Sequence, residues 1–81
     1  MKITITAHTA AENGDKESHC FHFLVENGGT EARTDSITLR TARVLVRELA
    51  NRTGLDAMMR KIVATPEAEF DALVGARFED R

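Results

Sequence analysis

Eighty-one residues, 42% hydrophobic and 30% charged, describe one small soluble domain over residues 1–81 with a thin core. No apolar run approaches the roughly 20 residues of a membrane span, and a single cysteine excludes an internal disulfide, so a cytoplasmic setting is expected. The formal charge of −2 conceals a segregation: residues 33–61 carry seven bases against three acids, net +4, whereas 1–32 and 62–81 each carry two bases against five acids, net −3.

The first segment alternates. In Lys2 to His8, Ile3, Ile5 and Ala7 share one face and Thr4, Thr6 and His8 the other, which predicts a strand and neither a signal peptide nor a membrane anchor. The polar stretch from Thr9 to Ser18 contains Asn13-Gly14 and reads as a long hairpin loop. From His19 to Glu26 a second strand sets Phe21, Phe23 and Val25 against Cys20, His22 and Leu24. Asn27-Gly28-Gly29 signals a tight turn into a third, polar strand from Thr30 to Asp35.

Ser36 to Gly54 reads as an amphipathic helix. Ala42, Leu45, Val46 and Leu49 form its inner stripe, while Arg40, Arg43, Arg47 and Asn51 lie opposite. Ser36 suits the N-cap and Gly54 the left-handed residue after the last turn. Ala32 on an even position and Ile37 and Leu39 on odd ones conflict within one strand unless it bulges, which favours starting the helix at Ser36. The alternative is a strand over Ser36 to Arg40 with the helix capped by Thr41.

Leu55, Met58, Met59 and Ile62 predict a second helix. Thr65-Pro66-Glu67 predicts the capped start of a third, with Phe70, Leu73 and Val74 inward and Phe78 near its edge. Gly75 within it costs ~1 kcal/mol relative to alanine and invites fraying. The expected fold is α+β: a three-stranded antiparallel sheet built of β-hairpins, followed by two or three α-helices packed on one face. Its expected core is Ile3, Ile5, Phe21, Phe23, Val25, Leu39, Ala42, Leu45, Val46, Leu49, Leu55, Met58, Met59, Ile62, Phe70, Leu73 and Val74.

No catalytic constellation is legible, so the chain is read as a non-enzyme without a cofactor. If the first hairpin is symmetric about Gly14, His8 stands opposite Cys20 and diagonal to His22, gathering zinc-competent groups on one sheet face. The spacing matches no zinc pattern and a fourth ligand is missing, so no metal residue is assigned; a small metal-binding protein is the third functional reading. Cys20 and His22, roughly 6–7 Å apart along one strand face, have no oxyanion element to make them a nucleophile–base pair. A face carrying Cys20 and Leu24 equally suits a homodimer contact.

The segment from Ser36 to Val63 resembles the ribbon-helix-helix DNA-binding family, over about a third of the chain. SITLR corresponds to its ribbon strand, the run ending LANRTG to its first helix and LDAMMRKIV to its second. The resemblance implies an intertwined dimer with Thr38 and Arg40 facing bases in the major groove. The chain departs from that family in the β-hairpin preceding the match and in lacking a leucine-proline turn after the strand. A sequence pI near 5.9 does not favour strong phosphate binding.

The remaining signal is the outer face of the long helix, where Ile37 and Val44 lie among Arg40, Arg43 and Arg47. Two aliphatic residues in an arginine ridge suit a protein interface, since arginine is enriched at interface hot spots. The leading expectation is therefore a small accessory or inhibitory factor that binds another protein, such as an anti-CRISPR-like inhibitor from a phage. The dimeric DNA-binding regulator is the alternative, and no membrane partner is expected.

Overall fold

The computed structural model describes residues 2–12, 14–28, 31–48 and 54–79. Four antiparallel strands form one sheet: β1 (Lys2–Thr9), β2 (Cys20–Asn27), β3 (Glu31–Thr38) and β4 (Arg77–Glu79), in the spatial order β3-β2-β1-β4. Helices α1 (Leu39–Glu48) and α2 (Gly54–Ala64) and a 3-10 helix (Glu67–Leu73) pack on one face, and a short 3-10 turn (Lys16–Ser18) lies in the first hairpin loop. The α+β class is as expected, with a fourth strand added. Residues Arg77–Glu79 are too few to display a two-residue period.

Burial follows the alternation. Ile3, Ile5, Phe21, Phe23 and Val25 line the inner face and meet Leu39, Ala42, Met58, Met59, Ile62, Phe70 and Leu73 from the helices. Leu45, Val46 and Leu55 are partly buried at the rim of this core, and Leu49 lies outside the described residues. Val74 was expected inside but is 44% exposed, because the 3-10 helix ends at Leu73 and the chain turns there.

That turn also corrects the reading of Gly75. It has φ of +96° and is not a fraying helical residue. Its N–H donates to the carbonyl of Ile5 at 2.7 Å, and the Ile5 N–H donates to Ala76 at 3.0 Å, steering the chain into β4 beside β1. A Cβ at this position would meet nothing within 4 Å, so the requirement is purely conformational. Gly75→Ala is expected to lower stability by about 1–2 kcal/mol, read as a fall in urea midpoint at constant slope.

The boundary between β3 and α1 differs from both sequence alternatives. Ser36 is a strand residue, not a cap; β3 continues to Thr38 and α1 begins at Leu39 without a loop. The Thr38 hydroxyl accepts the N–H of Thr41 at 3.2 Å, satisfying one of the free donors of the first turn. No bulge is needed in β3, whose register with β2 is continuous, because Ala32 is simply exposed on the outer face. Gly54 opens α2; it does not close α1. The third helix is 3-10, and Thr65 does not cap it: its hydroxyl donates back to the carbonyl of Lys61 at 2.6 Å.

The bulge lies in β1. Residues Lys2 to Ile5 pair with Glu26 to Phe23 in the register expected from a hairpin symmetric about Gly14. The register then shifts between Ile5 and Ala7, so Ala7 stands opposite His22 and His8 opposite Phe21. One extra residue, Thr6, thereby moves His8 from the outer face of the sheet to the inner one.

Candidate functional site

Two side-chain groupings stand out, one anticipated and one not. The anticipated one is the exposed face of α1. Arg40, Arg43 and Arg47 follow one another at spacings of three and four, so they share a side of the helix with Val44, which is 41% exposed. Together with Val46, Val63 and Glu17 they line an open groove between α1 and α2. Ile37 does not belong to this ridge. It is a β3 residue opposite Phe21 and is buried in the core, because the helix starts two residues after it.

Two of the arginines are already oriented by the first hairpin loop. Arg40 Nη2 lies 3.1 Å from Asp15 Oδ2, and Arg43 Nη1 lies 3.0 Å from Glu17 Oε1. Asp15 also accepts the N–H of Glu17, holding the loop turn that presents both acids. These exposed pairs add little stability. They do fix where two guanidinium groups stand, while Arg47 has no ion-pair partner among the described residues. The acidic first third and basic middle of the sequence thus meet here in two ion pairs.

The unanticipated grouping is a chain of four titratable side chains between β1, β2 and the 3-10 helix. His8 Nδ1 lies 2.7 Å from Asp71 Oδ1, His8 Nε2 lies 2.8 Å from His19 Nδ1, and His19 Nε2 lies 3.3 Å from Glu67 Oε2. The imidazoles are nearly buried, with side chains 6% and 8% exposed, whereas Asp71 and Glu67 reach solvent. Phe21 stacks on His8 with centroids 5.0 Å apart, and Phe70 meets both imidazoles edge-on at 5.6 and 4.8 Å.

The proton inventory of this chain is constrained. A carboxylate only accepts, so Asp71 places a hydrogen on His8 Nδ1. In a neutral His8 this leaves Nε2 as acceptor, which requires the hydrogen of His19 on Nδ1. Two neutral rings therefore fill two of the three gaps, and a third proton, on His19 Nε2, would fill the last one toward Glu67. All four ring nitrogens face a partner, so neither imidazole offers a free nitrogen to a substrate or metal ion.

This geometry separates the residues expected to cluster on the outer face. His8 has crossed to the inner face, while His22 remains outside with Nε2 3.1 Å from Thr9 Oγ1 and Cys20 is half-buried opposite Thr9 and Thr38. Among the described residues no group of three or more His, Cys, Asp or Glu side chains is disposed to hold a metal ion. The SITLR segment likewise does not form one ribbon strand: Ser36 to Thr38 close β3, already paired with β2, and Leu39 and Arg40 open α1. Thr38 caps that helix and Arg40 is held by Asp15.

Both histidines were visible in the sequence, and so was the Glu67–Phe70–Asp71 spacing that places two acids around an aromatic. No local pattern, however, encodes the extra residue in β1 that brings His8 to them. No described helix is long and apolar enough to cross a membrane. In comparisons with known proteins, no family model, curated protein or solved structure matches the chain.

Proposed function

We propose that this chain is a non-enzymatic accessory or inhibitory factor that binds another protein through the arginine face of α1. The observation that carries this reading is the alignment of Arg40, Arg43 and Arg47 with exposed Val44 along a groove backed by Val46 and Val63. An acidic partner surface with one apolar side chain complements that groove: the carboxylates meet the guanidinium groups and the apolar group covers the valines. Two of the arginines are oriented before binding by Asp15 and Glu17, which reduces the ordering cost of contact. An inhibitor encoded by a mobile element, of the anti-CRISPR-like kind, is one instance of this class.

The test is affinity capture from the source organism's lysate, with both protein and nucleic acid identified, followed by titration of the captured partner. Arg43→Glu combined with Arg47→Glu is expected to weaken binding tenfold or more while leaving the urea midpoint nearly unchanged, since both side chains are exposed. Capture of nucleic acid alone, with affinity falling steeply as salt rises, would replace this reading with a DNA-binding one.

A further inference from the structure

We infer that the free edge of β3 is a self-complementary docking strand, and that a second copy of this chain pairs with it antiparallel about a twofold axis through Thr34. β3 ends the sheet order, so one of its edges has no neighbouring strand among the described residues, and it runs for eight residues from Glu31 to Thr38. Residues 32–36 are exposed on both faces. Its register with β2 places Arg33 opposite Val25 and Asp35 opposite Phe23, both on the helix-bearing side of the sheet. The helical layer does not reach them: Ile37 is buried, whereas Arg33 and Asp35 stand in solvent.

Charges at such positions ordinarily protect an edge strand from association. A run of one sign would reject every antiparallel register with a second copy. This strand instead carries opposite signs two residues apart, with Thr34 between them. Residues directly opposite in an antiparallel pair share a face and have their Cβ atoms roughly 4.5–5.5 Å apart. Centring the pair on Arg33 sets that arginine against its own copy, and centring it on Asp35 does the same for the aspartate; both registers are repulsive. Registers centred between residues oppose both charged side chains to neutral neighbours. Centring on Ala32 also sets Arg33 against an acid, Glu31, but overlaps the two strands only over residues 31–33. The register centred on Thr34 overlaps them over residues 31–37 and sets Arg33 of each copy against Asp35 of the other, twice by symmetry, with the two Thr34 side chains meeting on the outer face.

That register also preserves the faces. Odd residues meet odd residues, so both helical layers lie on the same side of one continuous eight-stranded sheet. In the single chain Asp35 Oδ1 accepts the Ser36 N–H at 2.8 Å, and pairing turns that carboxylate to Arg33 of the second copy. The backbone hydrogen bonds of the new ladder supply affinity, and the two charge pairs choose among registers. This surface lies on the sheet edge and makes no use of the arginine face of α1.

Sedimentation analysis over a range of concentrations tests the inference. The native chain is expected to dimerise reversibly. Arg33→Asp should weaken the dimer at least tenfold by setting like charges opposite each other, Asp35→Arg should do the same, and the double exchange Arg33→Asp with Asp35→Arg should restore it to within a fewfold of native. Rescue by exchange is a result that mere loss of folding cannot produce. A second measurement uses the axis itself: in a Cys20→Ser background, Thr34→Cys should form an interchain disulfide under mild oxidation, whereas Ser36→Cys, facing Ala32 of the second copy, should not. A chain that stays monomeric at every concentration, a dimer indifferent to both charge reversals, or failure of the exchange to restore it would each overturn the inference.

Discussion

Phe70→Ala is expected to lower the free energy of unfolding by about 3–5 kcal/mol, the range for truncating a buried aromatic residue. Phe70 is 3% exposed and is, with Leu73, one of the two buried anchors of the 3-10 helix. Its ring contacts Phe21 at a centroid distance of 5.1 Å and an interplanar angle of 83°, in addition to both imidazoles. Edge-to-face contacts of this kind add about 0.5–1.5 kcal/mol beyond burial. A 3-10 helix has poor hydrogen-bond geometry and does not persist by itself, so docking through Phe70 is what holds residues 67–73 in place. A domain of this size carries roughly 4–12 kcal/mol in total, so the variant loses a large part of its stability. Urea unfolding measures the loss, and hydrogen exchange should show faster exchange over residues 67–73 than over β2. Phe70→Leu retains most of the apolar burial and is expected to cost about 1–2 kcal/mol, isolating the aromatic contribution. A cost below about 1 kcal/mol for Phe70→Ala would mean that the 3-10 helix is not docked in solution.

Most of the core was legible in the chain because burial imposes local periods. Ile3, Ile5, Phe21, Phe23 and Val25 recur every second residue, and Met58, Met59 and Ile62 at helical spacing, so water exclusion can be read from neighbours alone. What failed had no local signature. The parity argument counts Ala32 as a core residue, but alanine is small enough to be exposed at little cost, and the count misplaces the end of β3. The same count places Ile37 on a helix surface, whereas it is a strand residue facing the core. Gly75 looked like a weak point in a helix because its positive φ is a property of the turn and not of the residues beside it. The histidine chain is the clearest case. Its Asp71 contact joins residues 63 apart in sequence and depends on a single-residue register shift in β1. Ala7 beside that shift is neutral enough to lie on either face, so nothing near His8 betrays the change. The arginine face was readable for the opposite reason: a helix fixes the relation of Arg40, Arg43 and Arg47 by spacing alone, whatever lies elsewhere.

The His8–His19 contact should appear as strong coupling in a double-mutant cycle. His19→Leu removes the donor to His8 Nε2 and leaves that nitrogen in a nearly buried site facing a hydrocarbon side chain. A buried polar group without its partner costs about 1–3 kcal/mol, so a loss of about 2–3 kcal/mol is expected. His8→Leu leaves His19 Nδ1 in the same condition and returns Asp71 to water, where its carboxylate, already 91% exposed, loses little. The double variant has no orphaned nitrogen. Two leucines between Phe21 and Phe70 bury apolar surface in their place, and replacing both members of a buried polar pair is often nearly neutral. The double variant should therefore be less destabilised than the sum of the singles, by about 1–3 kcal/mol. Urea unfolding of the four proteins at one pH gives the cycle directly, provided the slopes agree. Additivity within about 0.5 kcal/mol would show that the two rings do not share a hydrogen bond in solution. A large coupling together with a stable double variant would show that the histidines specify the seating of the 3-10 helix against β1 without being needed to fold it. Selection for stability alone would then not explain a polar chain in the core of so small a protein.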